Sequence, residues 1–270
     1  MSILNEIIQY KRKETEERKK LYPVDLLKRS IYYKAPCISL KQYILRPDKN
    51  GIIAEFKRKS PSRGIINERA EVEKTSIGYM QGGASALSVL TDEKFFGGKS
   101  NDLITARKFN YCPILRKDFI IDTYQIEEAK SIGADAILLI ASVLTKKEIN
   151  SFTEKAHSLG MEVLLEFYSA DELDKYSETI DLAGINNRNL KNFNVDFDNA
   201  ANMVQMLPEN TVKVAESGIT KPEDILILKE KGFDGFLIGE TFMKSINPEN
   251  ACRRFIQDLK KISKETLYSK

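Results

Sequence analysis

Short hydrophobic runs of strand length recur along the chain, and stretches with helical periodicity separate them. Three of these runs begin alike: a glycine ends a helical pattern, and a small or acidic turn leads into the hydrophobic residues. They start at Gly83, Gly133 and Gly232. Their spacings of 50 and 99 residues equal two and four periods of ~25 residues, the length of one strand-and-helix unit. The pattern therefore indicates a repeated β/α unit.

The remaining strands fall where this period requires them. We predict them at Gly51–Lys57, Pro113–Lys117, Met161–Phe167, Asp181–Asn186 and Thr211–Glu216. Capping motifs mark helix starts between the strands, among them Thr145-Lys-Lys-Glu148 and Ser169-Ala-Asp-Glu172. Eight strands alternating with eight helices predict an α/β fold, a parallel (β/α)8 TIM barrel with right-handed crossovers. A doubly wound open sheet is the alternative.

The first ~50 residues lie outside this repeat. Ile3, Leu4 and Ile7 share a helical face, Pro23 opens a second short helix, and residues 38–45 indicate further helical or extended structure. We therefore predict a single barrel domain over residues 1–270, in which residues 1–50 form an N-terminal helical extension that caps the barrel. Periodicity does not decide which end of the barrel this extension covers.

Charged residues follow apolar ones at the ends of several predicted strands. Alternate residues of a strand share a face, so Glu55 and Lys57 point the same way. The same alternation puts Lys117, Glu166 and Glu216 on the inward face of the third, fifth and seventh strands. A charge inside a barrel mouth is costly unless it is paired or used. Because functional groups lie at the C-terminal ends of such strands, we predict a functional site there; a ring of stabilising ion pairs is the alternative.

Two glycine-containing loops predict a phosphate site. Ser217-Gly218-Ile219 follows the seventh strand, and Gly239-Glu240-Thr241 follows the eighth. In phosphate-binding barrels these loops and a short extra helix supply backbone N–H groups to the anion. We expect Ser217, Gly218, Gly239 and Glu240 to bind a phosphate through the backbone, with the Glu240 side chain turned away.

Composition and charge restrict the class of protein. The 270 residues are 42% hydrophobic and 30% charged, which is typical of a soluble globular protein, and the net charge is only +3. The one dense basic run, Lys11–Lys20, contains three glutamates and is interpreted as a solvated helix face. A nucleic-acid-binding protein that uses this helix and Lys57–Arg63 is an alternative from another class. The small net charge and the absence of interleaved aromatic and basic residues disfavour it.

The chain carries no pattern for a metal site, a disulfide framework or a membrane segment. Its three cysteines are far apart, and His157 is the only histidine. The N-terminus lacks the apolar core and cleavage site of a signal peptide, and no window approaches the ~18 apolar residues of a membrane span. We expect a cytoplasmic protein without a metal or organic cofactor.

Six motifs resemble those of the indole-3-glycerol phosphate synthase family, in that family's order and spacing. They are IIAEFKRKSPSRG, LSVLTDEKFFGG, PILRKDFIID, GINNRNLKNFNVD, VAESGI and FLIGETFM. The N-terminal EIIQYKRKETEERKK is similar to the family's opening helix, so the resemblance covers nearly the whole chain. It resembles the monofunctional form, without the isomerase barrel that is fused to some relatives.

This resemblance implies a reaction in tryptophan biosynthesis. A carboxy-lyase would close the ring of 1-(2-carboxyphenylamino)-1-deoxyribulose 5-phosphate to indole-3-glycerol phosphate, with loss of CO2 and water. Carried over by motif, Lys117 is the general acid that protonates the ketose carbonyl oxygen, and Lys57 binds the substrate carboxylate or phosphate and assists dehydration. Glu166 is the general base, with Glu55 as a second candidate.

The resemblance also implies binding residues around these groups. Asn186 and Glu216 are expected to bond the sugar hydroxyls and orient the lysines, with Arg188 in support, and Ser60 helps to bind the phosphate. Phe96 and Phe119 are expected to sandwich the aromatic ring, although aromatic residues of this kind are usually core residues. Phe167-Tyr168 is bulkier and less polar than the family pattern, which argues against further contacts from that loop.

The nearest alternative is another phosphate-binding barrel enzyme, such as phosphoribosylanthranilate isomerase. That enzyme shares the fold and the phosphate loops, but it has no counterpart to the Glu-x-Lys of the first strand followed by Ser-Pro-Ser. The only partner expected is a small phosphorylated substrate, with no nucleic acid, no membrane and no obligatory protein partner.

Overall fold

Eight parallel strands close into a barrel, each hydrogen-bonded to its neighbours in chain order and the last to the first. The computed structural model describes residues 3–188 and 195–268. The strands are β1 Ile52–Phe56, β2 Ala86–Leu90, β3 Ile114–Lys117, β4 Ala136–Ile140, β5 Glu162–Phe167, β6 Leu182–Asn186, β7 Val212–Glu216 and β8 Gly235–Ile238. The predicted TIM barrel is confirmed, and closure excludes the open sheet.

Helices surround the barrel and precede it. They are α1 Ile3–Leu21, α2 Val24–Leu27, α3 Leu40–Leu45, α4 Val72–Gly82, α5 Glu93–Phe96, α6 Ser100–Phe109, α7 Thr123–Ser131, α8 Lys146–Ser158, α9 Phe197–Gln205, α10 Pro222–Glu230, α11 Glu240–Met243 and α12 Pro248–Tyr268. The loop after β1 adds an antiparallel hairpin of Lys59–Ser60 with Gly64–Ile65. None of the helices in residues 3–188 and 195–268 has the length and the apolar content that crossing a bilayer requires.

The predicted alternation of strands and α-helices fails once, after β5. A 3₁₀ helix, Ala170–Lys175, takes the place of the α-helix that the Ser169 motif predicted, and Ser169 makes no side-chain capping bond. Only residues 168–181 separate β5 from β6. This length is too short for an average helix of ~11 residues with a loop on each side.

Strand alternation divides the core into an inner and an outer layer. The inner layer fills the barrel with side chains that include Ile53, Leu115, Leu164, Val212 and Val214. Outward residues of the same strands, Phe56 among them, pack against the surrounding helices. The predicted inward faces of β1, β3, β5 and β7 are therefore confirmed. The charged residue near the C-terminal end of each of these strands lies on the inward face and points toward the barrel mouth.

The N-terminal extension reaches both ends of the barrel. In α3, Leu40 and Ile44 are buried in the inner layer, and Ile44 lies against Gly235 at the start of β8, so α3 plugs the N-terminal ends of the strands. Ile3 and Ile7 of α1 line the cavity at the opposite end. The extension thus contributes to the core at the N-terminal ends of the strands and to the cavity at their C-terminal ends.

The plug formed by α3 predicts a large loss of stability for Leu40→Ala. Leu40 is fully buried, and removing a buried leucine side chain typically costs about 2–5 kcal/mol. We expect a lower urea midpoint, with the activity per folded molecule unchanged because Leu40 lies far from the mouth. Leu45→Ala is the matched control, since Leu45 on the same helix is 50% exposed. Equal midpoints for the two variants would show that α3 does not stabilise the barrel.

Candidate active site

A cavity of about 570 Å³ opens at the C-terminal ends of the strands. It is lined by every residue that the sequence analysis predicted for the site: Glu55, Lys57, Ser60, Phe96, Lys117, Phe119, Glu166, Asn186, Arg188, Glu216, Ser217, Gly218, Gly239 and Glu240. The barrel therefore brings together side chains that are far apart in sequence.

Lys117 lies between two carboxylates at the base of this cavity. Its Nζ is 2.6 Å from Glu216 Oε2 and 3.3 Å from Glu166 Oε2. The other Glu166 oxygen accepts a 2.6 Å hydrogen bond from Asn186 Nδ2. Directly after β1, Lys57 Nζ lies 2.6 Å from Oε1 of Glu55 on that strand. Each predicted lysine is thus paired with at least one glutamate.

Burial and these pairs shift two pKa values in the same direction. Burial lowers the pKa of Lys117, but the carboxylates of Glu166, Glu216 and Glu55 outweigh burial and raise it well above its ordinary value. Burial, followed by repulsion from Glu166, raises the pKa of Glu216 to about 7, although Lys117 acts against this. Lys117 is therefore charged at neutral pH, whereas Glu216 titrates there.

Two glycines make room for the buried carboxylates. A Cβ on Gly184 of β6 would lie inside contact distance of Glu216 Oε1, and a Cβ on Gly239 would collide in the same way with Glu55 Oε1. Glu216 Oε1 is buried and lacks a hydrogen-bond partner within the described part of the chain. This oxygen therefore packs directly against the backbone of Gly184.

The predicted phosphate loop has an unusual backbone. Ser217 has φ of 68° and Gly218 has φ of 78°, and Ser217 is the only non-glycine residue with positive φ in the described ranges. Such a conformation is uncommon outside glycine and is concentrated at functional sites. Asn187 Nδ2 donates to Ser217 O at 2.8 Å, and Thr241 Oγ1 donates to Ile219 O at 2.6 Å. These bonds hold the loops after β6, β7 and β8 together.

The Glu240 side chain forms ion pairs at the rim of the cavity that the sequence did not predict. Its carboxylate lies 3.2 Å from Arg63 Nε and 3.6 Å from Arg188 Nη2, in a partly exposed position. The arginines come from the loops after β1 and β6, and their charges attract the carboxylate across the rim of the cavity. Local sequence contains no sign of this arrangement, because the three residues meet only in the closed barrel.

Two aromatic rings line the opposite side of the cavity. The rings of Phe96 and Phe119 have centroids 5.9 Å apart and planes inclined by 40°. Asp92 Oδ1 accepts hydrogen bonds from the backbone N–H groups of Phe95 and Phe96, at 2.7 and 3.3 Å. The cavity therefore has an apolar wall, a charged base and a rim that contains the two glycine loops.

Comparison with known proteins agrees with this geometry. A sequence profile of the indole-3-glycerol phosphate synthase family matches residues 4–255. The indole-3-glycerol phosphate synthase of Bacteroides thetaiotaomicron is 48% identical over 94% of this chain and 98% of its own length. That of Thermoanaerobacter pseudethanolicus is 42% identical over 96% and 98%.

This chain belongs to the indole-3-glycerol phosphate synthase family. It is accordingly a carbon–carbon lyase of tryptophan biosynthesis, as its motifs predicted. The family match overrides both the isomerase and the nucleic-acid alternatives. The fold itself is shared more widely: a mutant tryptophan synthase α-subunit from Pyrococcus furiosus covers 78% of this chain and 98% of its own, with a TM-score of 0.60. At 14% identity that likeness concerns the fold alone.

Sequence reasoning missed several residues that line or support the cavity of this synthase. Tyr168 lines it, although the bulk of its loop argued against further contacts. Ile3, Leu4 and Ile7 of α1 also line it; their shared helical face was visible, but not the surface that it covers. Asn187 is buried and anchors Ser217, and its position beside Asn186 in GINNRNL was the available signal.

The fit of Glu216 against Gly184 predicts that Gly184→Ala damages the synthase. The added methyl group would push Glu216 away from Lys117, because the β6 backbone cannot move without breaking the sheet. We expect kcat to fall by about tenfold or more, with overpacking costing about 1–3 kcal/mol of stability. Steady-state kinetics and urea unfolding measure the two effects.

Gly160→Ala is the control for this variant. Gly160 has positive φ and open space around its Cβ position, so the change strains the backbone without reaching the cavity. It should reduce stability slightly and leave kcat unchanged. A Gly184→Ala enzyme with the wild-type kcat would disprove the steric role of this glycine.

Proposed function

We propose that this cavity carries out the ring closure of 1-(2-carboxyphenylamino)-1-deoxyribulose 5-phosphate through the residues that line it. The observation that carries the proposal is the Lys117 ammonium group, held by Glu166 and Glu216 between the aromatic wall and the glycine loops. The chemical groups of the substrate follow the same order as these parts of the cavity. Its ketose carbonyl lies between a carboxyphenyl ring and a phosphate.

The first step joins the aryl carbon that bears the carboxylate to the ketose carbonyl carbon. The anilino nitrogen supplies electrons to the ring, and the carbonyl oxygen takes the Lys117 proton as the new carbon–carbon bond forms. The raised pKa of Lys117 keeps this proton in place until the acceptor becomes a strongly basic alkoxide. Loss of CO2 then returns the bonding electrons to the ring and restores its aromaticity.

The second step removes water. The nitrogen lone pair expels the new hydroxyl group, which Lys57 protonates, and a base removes a proton from the carbon next to the nitrogen. Glu166 is the base in this proposal, and Glu55 is the second candidate because it is paired with Lys57. The carbon–carbon double bond that forms completes the indole.

The other cavity residues bind and orient the substrate in this proposal. Asn186 holds Glu166 through a 2.6 Å hydrogen bond, and with Glu216 it is suited to receive the sugar hydroxyls. Backbone groups of Ser217, Gly218, Gly239 and Glu240 bind the phosphate, helped by Ser60 and Arg188. Phe96 and Phe119 hold the carboxyphenyl ring.

The setting of the reaction belongs to the same proposal. The three cysteines are free thiols, which is typical of a reducing compartment, and we place the enzyme in the cytoplasm. A single barrel domain with its N-terminal extension contains all the residues named above, so we propose that a small phosphorylated substrate suffices, without nucleic acid, a membrane or an obligatory protein partner.

The absence of tryptophan permits a direct test. When the enzyme is mixed with the carboxyphenylamino-deoxyribulose phosphate, indole fluorescence should rise over a low protein background. Lys117→Met should reduce this rate by about 10²-fold or more, with little change in substrate affinity because the lysine acts in the transition state.

Lys146→Met provides the matched control, since Lys146 is an exposed lysine on α8, and it should keep the wild-type rate. A folded wild-type enzyme that produces no indole fluorescence would refute the function. A Lys117→Met enzyme within about tenfold of wild type would refute only the role of Lys117 as the essential acid.

The titration of Glu216 predicts the pH dependence of the synthase. The carboxylate form holds Lys117, so kcat/KM should rise as the pH increases through about 7 and should fall below that pH as Glu216 becomes protonated. Glu216→Gln should lose this inflection. The ionisation of the substrate phosphate is the same for both enzymes, so an inflection that persists in the variant would assign it to the substrate instead.

A further inference from the structure

Lys11 of α1 is a buried cation in a segment that the sequence analysis interpreted as a solvated helix face. That interpretation is wrong at this position, where the side chain is 2% exposed. Its Nζ lies 2.6 Å from Glu14 Oε2, 2.8 Å from Asp92 Oδ2 and 3.0 Å from Asp118 Oδ1. A lysine is rarely buried to this degree unless it is paired, and here three carboxylates pair with it.

Asp92 and Asp118 each hold the backbone of a cavity phenylalanine. Asp92 follows β2 and caps α5, where its Oδ1 accepts from the Phe96 N–H at 3.3 Å. Asp118 follows β3, and its Oδ1 accepts from the Phe119 N–H at 2.8 Å. One ammonium group therefore joins the two carboxylates that fix the start of each aromatic segment.

The two aspartates depend on Lys11 to different degrees. Asp118 Oδ2 also accepts from Thr91 Oγ1 at 2.5 Å and lies 3.1 Å from Arg116 Nη2. Asp92 is fully buried, and its Oδ2 faces Lys11. Without the ammonium charge, the Asp92 carboxylate would lie uncompensated near a second carboxylate, which is a strongly unfavourable arrangement.

The helix that carries Lys11 also contacts the same wall of the cavity. Tyr10 packs edge-to-face on Phe95, with ring centroids 5.8 Å apart, and Ile7 lines the cavity together with Phe96. The contacts that dock α1 on the barrel are therefore made with the same wall of the cavity that carries the aromatic rings.

We propose that Lys11 is a positioning residue that sets the separation of the Phe96 and Phe119 rings through Asp92 and Asp118. This inference rests on the proposed function, in which those rings hold the carboxyphenyl part of the substrate. Lys11 touches neither the substrate nor the reacting atoms. It affects the affinity for the carboxyphenyl part of the substrate and leaves the binding of the phosphate unchanged.

The test uses two ligands that report on the two sides of the cavity. The first is the substrate with its ketone reduced to an alcohol, which retains the carboxyphenyl ring and is titrated by its own fluorescence. The second is inorganic phosphate, measured as an inhibitor. Lys11→Met should weaken binding of the first ligand and raise KM by about tenfold or more, and the phosphate inhibition constant should stay within about twofold of wild type.

Two further variants keep the test independent of folding. Lys13→Met is the matched control, since Lys13 is an exposed lysine on α1, and it should behave as wild type. Asp92→Asn keeps the acceptor for the α5 backbone but removes the charge that Lys11 compensates. Combined with Lys11→Met it should restore part of the lost affinity, because the buried charge is then gone.

The possible outcomes separate this inference from the proposed function. If the wild-type enzyme fails to bind the reduced substrate, the proposed function is wrong. If the wild type binds it and folded Lys11→Met binds it equally well, the positioning role is wrong. Parallel losses for both ligands would assign Lys11 a purely structural role and would also overturn the inference. If Lys11→Met does not fold, Asp92→Asn alone must show the loss of affinity for the aromatic ligand.

Discussion

The ion pair between Lys117 and Glu216 is the interaction on which the rest of the site depends. Glu216 is buried and Lys117 is largely so, and a charge in such a position is costly unless it is paired. The pair requires the empty space beside Gly184, and Glu166 and Asn186 complete the arrangement. The surrounding carboxylates keep Lys117 charged, whereas burial and repulsion from Glu166, opposed by Lys117, bring the pKa of Glu216 to about 7. The packing of charges at the barrel mouth thus also sets the protonation states that our proposed mechanism uses.

A second buried charge cluster lies directly beside the first. Lys117 and Asp118 are adjacent at the end of β3; Lys117 points into the cavity, and Asp118 joins Lys11 and Arg116. In our interpretation the two clusters have different roles. The Lys117 cluster holds the reacting groups, and the Lys11 cluster holds the aromatic wall. The N-terminal extension is tied to the second cluster through Lys11. This connection explains how a segment outside the β/α repeat becomes part of the cavity.

The fold and the cavity residues were predictable because strand alternation is a local property. An inward apolar residue followed two positions later by a charge identified Glu55, Lys117, Glu166 and Glu216, the same alternation extended to Lys57, and all of them line the cavity. Motif resemblance added the residues of the loops. The features that the sequence did not predict share one cause: the ion pairs of Glu240, the burial of Lys11 and the position of Tyr168 depend on neighbours from other elements. The 3₁₀ helix after β5 was a different error, in which a capping motif was given more weight than the length of the segment.

The sequence by itself determined the order of elements, the face of each strand and the chemical types that meet at the barrel mouth. These follow from periodicity and from the cost of burying a charge, both of which can be read along one chain. Only the tertiary structure decided which charges pair. Closure of the barrel brings Lys117 Nζ on β3 within 2.6 Å of Glu216 Oε2 on β7, and docking of α1 brings Lys11 to two aspartates. Electrostatic energy depends on such distances, and no spacing along the sequence contains them.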